Sequence, residues 1–529
     1  MPARSSFLVK LSLWAAITWF GCRLSGIRLE SIGTFAIWLC GTWVSYCIII
    51  LGWRVFGRQW FSPYNDLPGP KPLGHQITQW VNTIPNDGLL HFFGFLGAEY
   101  LITTNVESLS DVLTNRSYLF QKTSGLRRWT VRFFGEGIVI QEGEKHKQNR
   151  KSFVQVFNQR QVDKLKPILS GKSTQIVDRI EERCTRIDKN QLKSAILNVS
   201  DLTKAITLDV MGIVALGVDF NTILGQNVEI TEVFQTLFST GDLKKSHFMW
   251  HNSAPSWLIK MFPSKIDRQM DDAHLKLKIN LERLLKEKLA LFRTKDVSDE
   301  DILTQIACSG DFTPEEIIPQ VVTTLAAGFE STAGTLAWTL YCVAANREVQ
   351  KSLRQELRDA KATKGQLSEA DYEKLPLLNG ICNESSRLYP TFAMTMRKAT
   401  CDTYITGRHV QAGTYIVIVP RAINRAKHLW GADAEEFVPE RWIDRTDPET
   451  PKINPTGGAS SPMSMLSFLY GPRSCVGRSL SLAEIRRMTA RIVERFEMET
   501  TSSVIPESTG WLSSAPSSDL QLKFTQIDE

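Results

Sequence analysis

Phe468-Leu-Tyr-Gly471-Pro-Arg473-Ser-Cys475-Val-Gly477-Arg478 is the stretch on which the reading of this chain turns, and an apolar-periodic helix starting Ser479-Leu480-Ser481-Leu482-Ala483 follows it directly. Glycines four residues before and two after flank the cysteine. They let a turn bring backbone amides up to the sulfur, and an N–H donor near a thiolate lowers its pKa and steadies it as a ligand. A buried cysteine in an ordinary loop is the plainer alternative. Against it, Phe, Gly, Arg, Cys and Gly at these fixed spacings arise by chance in about one in ten thousand chains of this length at average composition.

Around that stretch lie 529 residues, 43% apolar and 22% charged, a usage that excludes disorder and fibrous repeats and leaves material for one large core. The net charge is only +6, which gives no argument for nucleic acid as a partner. Charge is local instead: from Lys122 to Lys172, twelve Lys or Arg face Glu136, Glu142, Glu144 and Asp163, an excess of 12 − 4 = +8. The nine cysteines (22, 40, 47, 184, 308, 342, 382, 401 and 475) are odd in number and contain no CxxC pair, so neither a disulfide framework nor a structural zinc site is signalled. All but Cys475 read as small buried hydrophobes of a reducing compartment.

The N-terminal end is apolar. Ile32 to Trp53 runs 22 residues without a charge, and at about 1.5 Å per residue this crosses a hydrocarbon core of about 30 Å. It reads as a transmembrane helix with Arg54 and Arg58 as its basic flank. An earlier apolar run, Leu11 to Cys22, allows a second short span over 7–22, an interfacial helix, or the apolar part of a signal peptide. Arg4, Lys10, Arg23 and Arg28 before the strong span outnumber the basic residues just after it, so charge does not fix the orientation, which a hairpin of two spans would partly reconcile. Leu67-Pro68-Gly69-Pro70-Lys71-Pro72 is a stiff, non-helical connector. The expected organisation is a membrane anchor over 1–60, a Pro-rich hinge over 61–74 and a soluble body over 75–529.

Within the body, apolar spacing predicts helices near Val106 to Leu119, Leu202 to Val218 and Leu275 to Phe292, and strands at Tyr415 to Val419 and Tyr100 to Thr103. The Ser-rich stretch Ser502 to Ser518 reads as loop or turn. Thr313, Pro314 and Glu316 form a capping box that opens a helix to about Asn346, with Pro319 as a kink point. From Gln320 to Asn346 its only charge is Glu330; a transmembrane reading is disfavoured by that carboxylate and the hydroxyls around it. The expected fold class is mainly α with a small β part.

Every fixed position of FxxGxRxCxG is met at 468–477, and in this the chain resembles the cytochrome P450 family of haem-thiolate monooxygenases, most closely its fungal, membrane-anchored (microsomal) members. Further family landmarks follow in order: Ala327-Gly328-Phe329-Glu330-Ser331-Thr332, Glu384-Ser-Ser-Arg387 and Phe437-Val-Pro439-Glu440-Arg441-Trp442. The resemblance covers nearly the whole chain and implies the cytochrome P450 fold. Read physically, Glu384 and Arg387 share one helix face, and the leucines and isoleucine around them bury the pair, which then needs a third partner. Arg441 is the candidate, and by resemblance the three form a structural triad that holds the haem loop.

The resemblance implies haem b with Cys475 as axial thiolate and metal ligand, and it counts Phe468 among the cofactor-binding residues. Two anionic propionates require cations, for which it points to Arg473, to Arg150 with His146, and to Arg397. His146 stands where the family more often has Trp. Glu330 and Ser331 form an acid–hydroxyl relay for the protons of oxygen activation; Ser replaces the family's usual Thr, with Thr332 as a sharer of the role. Gly328 permits close approach of the backbone to a ligand. No flavin or nicotinamide fingerprint occurs, so electrons are expected from a separate NADPH-cytochrome P450 reductase, with cytochrome b5 as a second donor, docking on Lys145, Lys147, Arg150, Lys151, Arg478, Arg486 and Arg487. Substrate selection is assigned to Thr123 to Gly137, Phe234 to Trp257, Leu325 to Gly328 and Phe392 to Met396. The expected substrate is a lipophilic secondary metabolite (terpenoid, polyketide or alkaloid), oxidised with O2 at an endoplasmic reticulum membrane by a body facing the cytosol. Two alternatives stay open: a reductase-independent isomerase or dehydratase on the same fold, and a non-catalytic membrane haem protein.

Overall fold

The structure, a computed structural model, describes residues 32–53, 62–64, 66–67, 77–94, 97–187, 193–238, 242–253, 256–293, 301–447, 450–506, 508–509, 514–516 and 519–527. The short apolar run at 7–22, Cys22 and all of the expected hinge except 62–64 and 66–67 lie outside them. The chain divides into two compact units, one of Met1–His75 with Leu89–Leu101 and a larger one of Gln76–Gly88 with Ile102–Glu529.

The smaller unit contains helix α1 (Ile32–Gly52) and strand β1 (Leu89–Phe93), and strand β2 (Glu99–Thr103) begins in it. None of the side chains described on α1 is buried, and Ile37, Val44, Ile48 and Ile49 are more than half exposed. The predicted helix is therefore present, but among the described residues no helix is long and apolar enough to cross a membrane.

In the larger unit the helices used below are α2 (Ser124–Phe134), α3 (Gly143–Val156), α4 (Gln159–Arg183), α5 (Val199–Leu216), α6 (Val228–Phe238), α7 (Asp242–Ser253), α8 (Lys265–Arg293), α9 (Pro314–Ala345), α10 (Arg347–Lys364), α11 (Pro376–Leu388) and α12 (Arg478–Arg495). Strands are few. β3 (Phe120–Gln121), β5 (Thr395–Ala399) and β6 (Tyr415–Ile418) pair antiparallel, with Phe120 opposite Ala399 and Arg397 opposite Ile416. β4 (Lys193–Asn198) and β7 (Phe496–Thr500) flank β8 (Gln521–Gln526) in a second antiparallel sheet. This is the mainly α architecture with a small β part that the sequence predicts.

The capping box holds: Thr313 and Glu316 cap α9, Pro314 takes the first position, and the helix runs through Pro319 to Ala345. Its C-terminal half is buried almost without a break, from Thr332 to Ala344, because α9 packs along α5, α11 and α12. The predicted helix at Val106 to Leu119 is instead three short pieces, an α turn, a π turn and a 3-10 turn. The Ser-rich segment contributes a short antiparallel pair, Ser508 and Thr509 with Pro516 and Ala515. Cys184, Cys342 and Cys382 are buried as expected, but Cys40, Cys47, Cys308 and Cys401 are exposed. The first two ride on the uncovered α1, Cys308 ends a short helix and Cys401 follows β5.

The interior is organised by a buried ion pair. Glu384 and Arg387 on α11 are both fully buried and bidentate, with Arg387 Nε 2.8 Å and Nη2 2.7 Å from the two carboxylate oxygens. Such a pair is tolerable only when the remaining donors and lone pairs are used. Arg387 donates to the carbonyls of Asn424 and Ala434, both at 2.6 Å, and of Glu436. Glu384 accepts from Arg441 Nε at 2.9 Å, Trp442 Nε1 at 2.9 Å and the amide of Val438. Asp433 holds the other end of Arg441 at 3.0 Å. Sequence spacing pointed to Arg441 but not to Trp442 or Asp433.

Removing Arg387 leaves Glu384 charged and buried, so Arg387→Ala is expected to cost about 3–5 kcal/mol. Arg441→Ala should cost less, because Val438 and Trp442 still serve the carboxylate. Urea denaturation curves check this, with midpoints falling in the order wild type, Arg441→Ala, Arg387→Ala; equal midpoints for wild type and Arg387→Ala would remove the pair from its organising role.

Candidate functional site

The lock leads straight to the cysteine loop. Asn424, whose carbonyl receives Arg387, takes the Leu466 amide on Oδ1 at 2.7 Å and donates to Ser467 Oγ at 3.0 Å. Ser467 in turn donates to the Ser386 carbonyl beside the ion pair. Two residues from this anchor the loop closes on itself: the Cys475 amide donates to the Phe468 carbonyl at 2.8 Å. Gly471 has φ +75°, and a Cβ there would meet the Leu113 carbonyl oxygen at 2.0 Å, so only glycine fits. Gly477 differs, since a Cβ would make only ordinary contact with Phe157; what it contributes is its amide, which faces the sulfur.

Cys475 is accessible at its surface yet crowded by protein. Burial pushes its thiol up, and the Gly477 N–H, Arg150 and Arg478 pull in the opposite direction. Arg150 on α3 donates to the Ser474 carbonyl at 2.6 Å and to its hydroxyl at 3.1 Å. The structure thus places Arg150 on the cysteine loop, whereas the sequence assigned it to propionate binding. Arg478 lies over the Phe468 ring at 5.7 Å.

Beside the loop lies a group of buried cations. Arg473 donates to the carbonyls of Ser117 and Phe120 at 2.7 and 2.8 Å and pairs with Glu142, while its Nε is buried without an acceptor. Arg397 on β5 is 3% exposed and bonds, among the described residues, to Thr395 Oγ1 and the Met396 carbonyl; burial and the Arg473 charge lower it to about 10. Lys122 is lowered to about 7 by burial, with Arg397 and Arg473 adding to the effect. His146 is buried, meets the Tyr118 hydroxyl at 3.1 Å, and is lowered to about 4 by burial and the nearby Lys122, Arg473 and Arg150, so it is a neutral hydrogen-bonding group. Glu142, which accepts from the Lys122 amide, is the one carboxylate among them. Three basic side chains, Lys122, Arg397 and Arg473, against one carboxylate leave a formal excess of 3 − 1 = +2 once Lys122 is protonated. That excess, with an orphaned Arg473 Nε–H, fits a dianionic ligand carrying two carboxylates, and an accessible cysteine fits a metal at its centre. Haem b meets both demands. Lys122 and Glu142 were not singled out in the sequence; the only signal was the +8 excess from 122 to 172.

On α9 the Ser331 hydroxyl donates to the Ala327 carbonyl, and the Ser331 carbonyl is held by Thr335 at 2.9 Å and Thr391 at 3.3 Å. Ala327 is exposed and Glu330 and Ser331 are half-buried, in a helix otherwise largely enclosed. Thr332 does not join them. It is buried and bonds to Ser481 on the first turn of α12 at 3.1 Å, tying α9 to the helix that follows Cys475. Gly328 serves helix packing rather than ligand approach, because a Cβ there would stand 2.5 Å from Met211 Sδ of α5.

Other expectations change in the same way. Arg486 and Arg487 are internal: Arg487 is 8% exposed and bonds Ser170 and Ser173 of α4, and Arg486 reaches Asn379. The exposed basic groups of the expected docking face are Lys145, Lys147, Lys151 and Arg478, of which Lys145 pairs with Glu316 and Lys147 with Glu144. Of the substrate-selecting residues, Phe234 and Leu325 are core, whereas Phe392 is exposed and Met394 and Met396 are half-buried.

At pH 8 the Lys122 amine, lowered to about 7, is mostly neutral. Two carboxylates placed beside it raise its pKa, so Lys122 takes up about one proton when haemin binds at that pH, against the proton that Cys475 releases in becoming a thiolate, and the two nearly cancel. Calorimetry in buffers of different ionisation enthalpy measures the balance. Lys122→Met should turn it into a net release of about one proton per chain, and Arg397→Ala should lower the haem retained per chain.

With this geometry in hand, comparison with known proteins places the chain. The cytochrome P450 family profile matches residues 92–524. The cytochrome P450 monooxygenase sphH of Aspergillus fumigatus is 31% identical, over 96% of this chain and 95% of its own. The cytochrome P450 monooxygenases ptmK of Penicillium ochrochloron and buaD of Petromyces alliaceus are each 29% identical, over 92% and 91% of this chain and 98% and 89% of their own. A loop that presents Cys475 beside a site with two surplus positive charges, on a chain matched from end to end by fungal monooxygenases, identifies the protein as a member of the cytochrome P450 family and an oxidoreductase of the monooxygenase type.

Proposed function

We propose that this protein inserts one oxygen atom of O2 into a lipophilic small molecule, a secondary-metabolite intermediate of terpenoid, polyketide or alkaloid type, with electrons from a separate NADPH-dependent reductase. The observation that carries the reading is the pairing of an accessible Cys475 with the +2 excess on Lys122, Arg397 and Arg473. Cys475 holds the iron, with the Gly477 amide, Arg150 and Arg478 lowering the cost of its thiolate. Lys122, Arg397 and Arg473 hold the propionates. The bound haem supplies oxygen activation, which the thiolate favours. Ser331 and Glu330 pass protons to that site, and Thr332 fixes the relay helix to α12.

The reductase, with cytochrome b5 as a second donor, docks on the face that presents Lys145, Lys147, Lys151 and Arg478. α1 anchors the protein in the endoplasmic reticulum membrane with the body in the cytosol, 1–60 being the anchor, 61–74 the hinge and 75–529 the catalytic domain. Its apolar side chains have no cover within the described residues, and lipid is the medium that removes such a surface from water. Met249, Trp250, Trp257, Met261 and Phe262 of the larger unit are also exposed, a second apolar surface suited to the lipid interface.

Reduced wild type under carbon monoxide should give the strongly red-shifted Soret band of thiolate ligation, and Cys475→Ala should not; an imidazole-like band in wild type would sink the reading. With reductase, NADPH and a turned-over substrate, Ser331→Ala should lower product per NADPH by on the order of 10- to 100-fold, with the lost electrons appearing as peroxide. Full-length protein should stay with membranes through alkaline carbonate washing, and a chain lacking 1–60 should be released by it.

A further inference from the structure

Away from the haem site, two histidines and a carboxylate meet in the interior. His247 and His251 stand one turn apart on α7, and Asp267 comes from the first turn of α8. All three are buried, at 6%, 5% and 1% exposure. Both Nε2 atoms converge on the same oxygen, Asp267 Oδ1, His247 at 3.2 Å and His251 at 2.8 Å, and the three ligand atoms lie within 4.8 Å of one another. A tetrahedral zinc with bonds of about 2.0–2.1 Å sets neighbouring ligand atoms about 3.3 Å apart, so only small shifts separate this arrangement from a coordination sphere.

The surroundings are those of a built site. Asp267 Oδ2 is fixed by the Ser264 amide at 2.9 Å and hydroxyl at 2.7 Å, and this turns Oδ1 toward the imidazoles and Arg132. Phe133 of α2 covers both rings, with centroids 5.8 and 5.9 Å away. The imidazoles are tilted by 47° with centroids 4.2 Å apart, beside Arg132, whose Nη1 is 2.8 Å from Asp267 Oδ1. Protonating either ring would add a cation next to Arg132 in a desolvated place, and burial lowers His251 accordingly. Trp129 Nε1 stands 3.5 Å from His247 Nδ1, a long contact that yields when the Nε2 lone pair turns to a metal. Arg132 is itself bidentate with Asp271, at 3.2 and 2.7 Å, so its charge is largely balanced.

We propose that His247, His251 and Asp267 form a binding site for a divalent cation of the zinc class, which clamps α7 to α8 beneath Phe133 of α2. Imidazole with a single carboxylate suits zinc and excludes calcium and magnesium, which take oxygen ligands. The clamp ties α7, which lies in the substrate-selecting segment 234–257, to α8, and Phe133 of the segment 123–137 packs over it, so its occupancy sets how firmly α7 is held.

The test uses full-length protein with its haem, stripped with a chelator, equilibrated with zinc chloride at micromolar free zinc and passed through a desalting column. Elemental analysis of zinc against haem iron should give one zinc per iron in wild type. His247→Asn and His251→Gln, which keep an amide donor for Asp267, should lose that zinc and bind at least about tenfold more weakly. The carbon monoxide band of each variant shows that it is folded, and Asp267→Asn replaces any variant that loses the band. Zinc should also raise the thermal midpoint of wild type and leave the variants unmoved. Wild type without zinc, variants that retain it, or a bound zinc that leaves the midpoint unchanged would each overturn the proposal.

Discussion

A carboxylate and a guanidinium with no exposed surface are among the most expensive contents a protein interior can have. In this chain Glu384 and Arg387 are bearable because their partners are supplied by the segment 424–442: three backbone carbonyls for the arginine, and one amide, one indole and one guanidinium for the carboxylate. The dependence runs both ways. The segment has little regular structure of its own and takes its path from these hydrogen bonds. Because Asn424 sits at one end of that path and also holds Leu466 and Ser467, the position of Cys475 follows from how the ion pair was satisfied.

The haem site follows the opposite electrostatic rule. With Asp433 counted, every charge of the triad is matched, whereas Lys122, Arg397 and Arg473 carry a formal surplus of two, and burial first, with the neighbouring cations adding to it, depresses the pKa values of Lys122 and Arg397. Binding energy for a dianion is stored there in advance. Cys475 shows the same preparation, since its desolvated thiol is held up while Gly477, Arg150 and Arg478 wait to stabilise the thiolate. A site arranged in this way discriminates against neutral ligands and against metals that come without an anionic carrier.

What could be read from the sequence was what spacing carries. The cysteine loop, the i, i+3 ion pair and the capping box of α9 are local patterns, and each fixes geometry within a few residues. Glu142 and Arg473 are 331 positions apart, so nothing near either one announces their contact. Gly328 illustrates a different failure: a glycine beside a suspected site suggests ligand approach, but the atom that needs the room is Met211 Sδ on another helix. Arg486 and Arg487 looked like a surface run because charge was weighed before packing. α12 is enclosed by α4, α9 and α10, and an arginine there survives by sending its head to Ser170 and Ser173. The Val106 to Leu119 region had the apolar spacing of one helix, but the pairing changes from α to π at Asp111, and Arg116, at φ −124° and ψ 25°, leaves the helical path before the 3-10 turn.

α9 shows how one helix serves core and site together. Thr324, Ser331, Thr335 and Thr339 each turn the hydroxyl back to a carbonyl one turn earlier, which satisfies them in an apolar setting, and Thr335 and Thr339 also meet the hydroxyls of Thr391 and Ser385. Ser331 differs from the rest in lying where the helix is open, beside the exposed Ala327. Its carbonyl is pinned by Thr335 and Thr391 and Thr332 is tied to Ser481, so the backbone at this point cannot drift. The hydroxyl alone retains a choice, between the Ala327 carbonyl and a group in the open space. The proton relay proposed for Ser331 needs that combination, a fixed pivot and a rotor that can leave the Ala327 carbonyl for a second acceptor. Serine supplies it with less hindrance than threonine, because no β-methyl group restricts χ1.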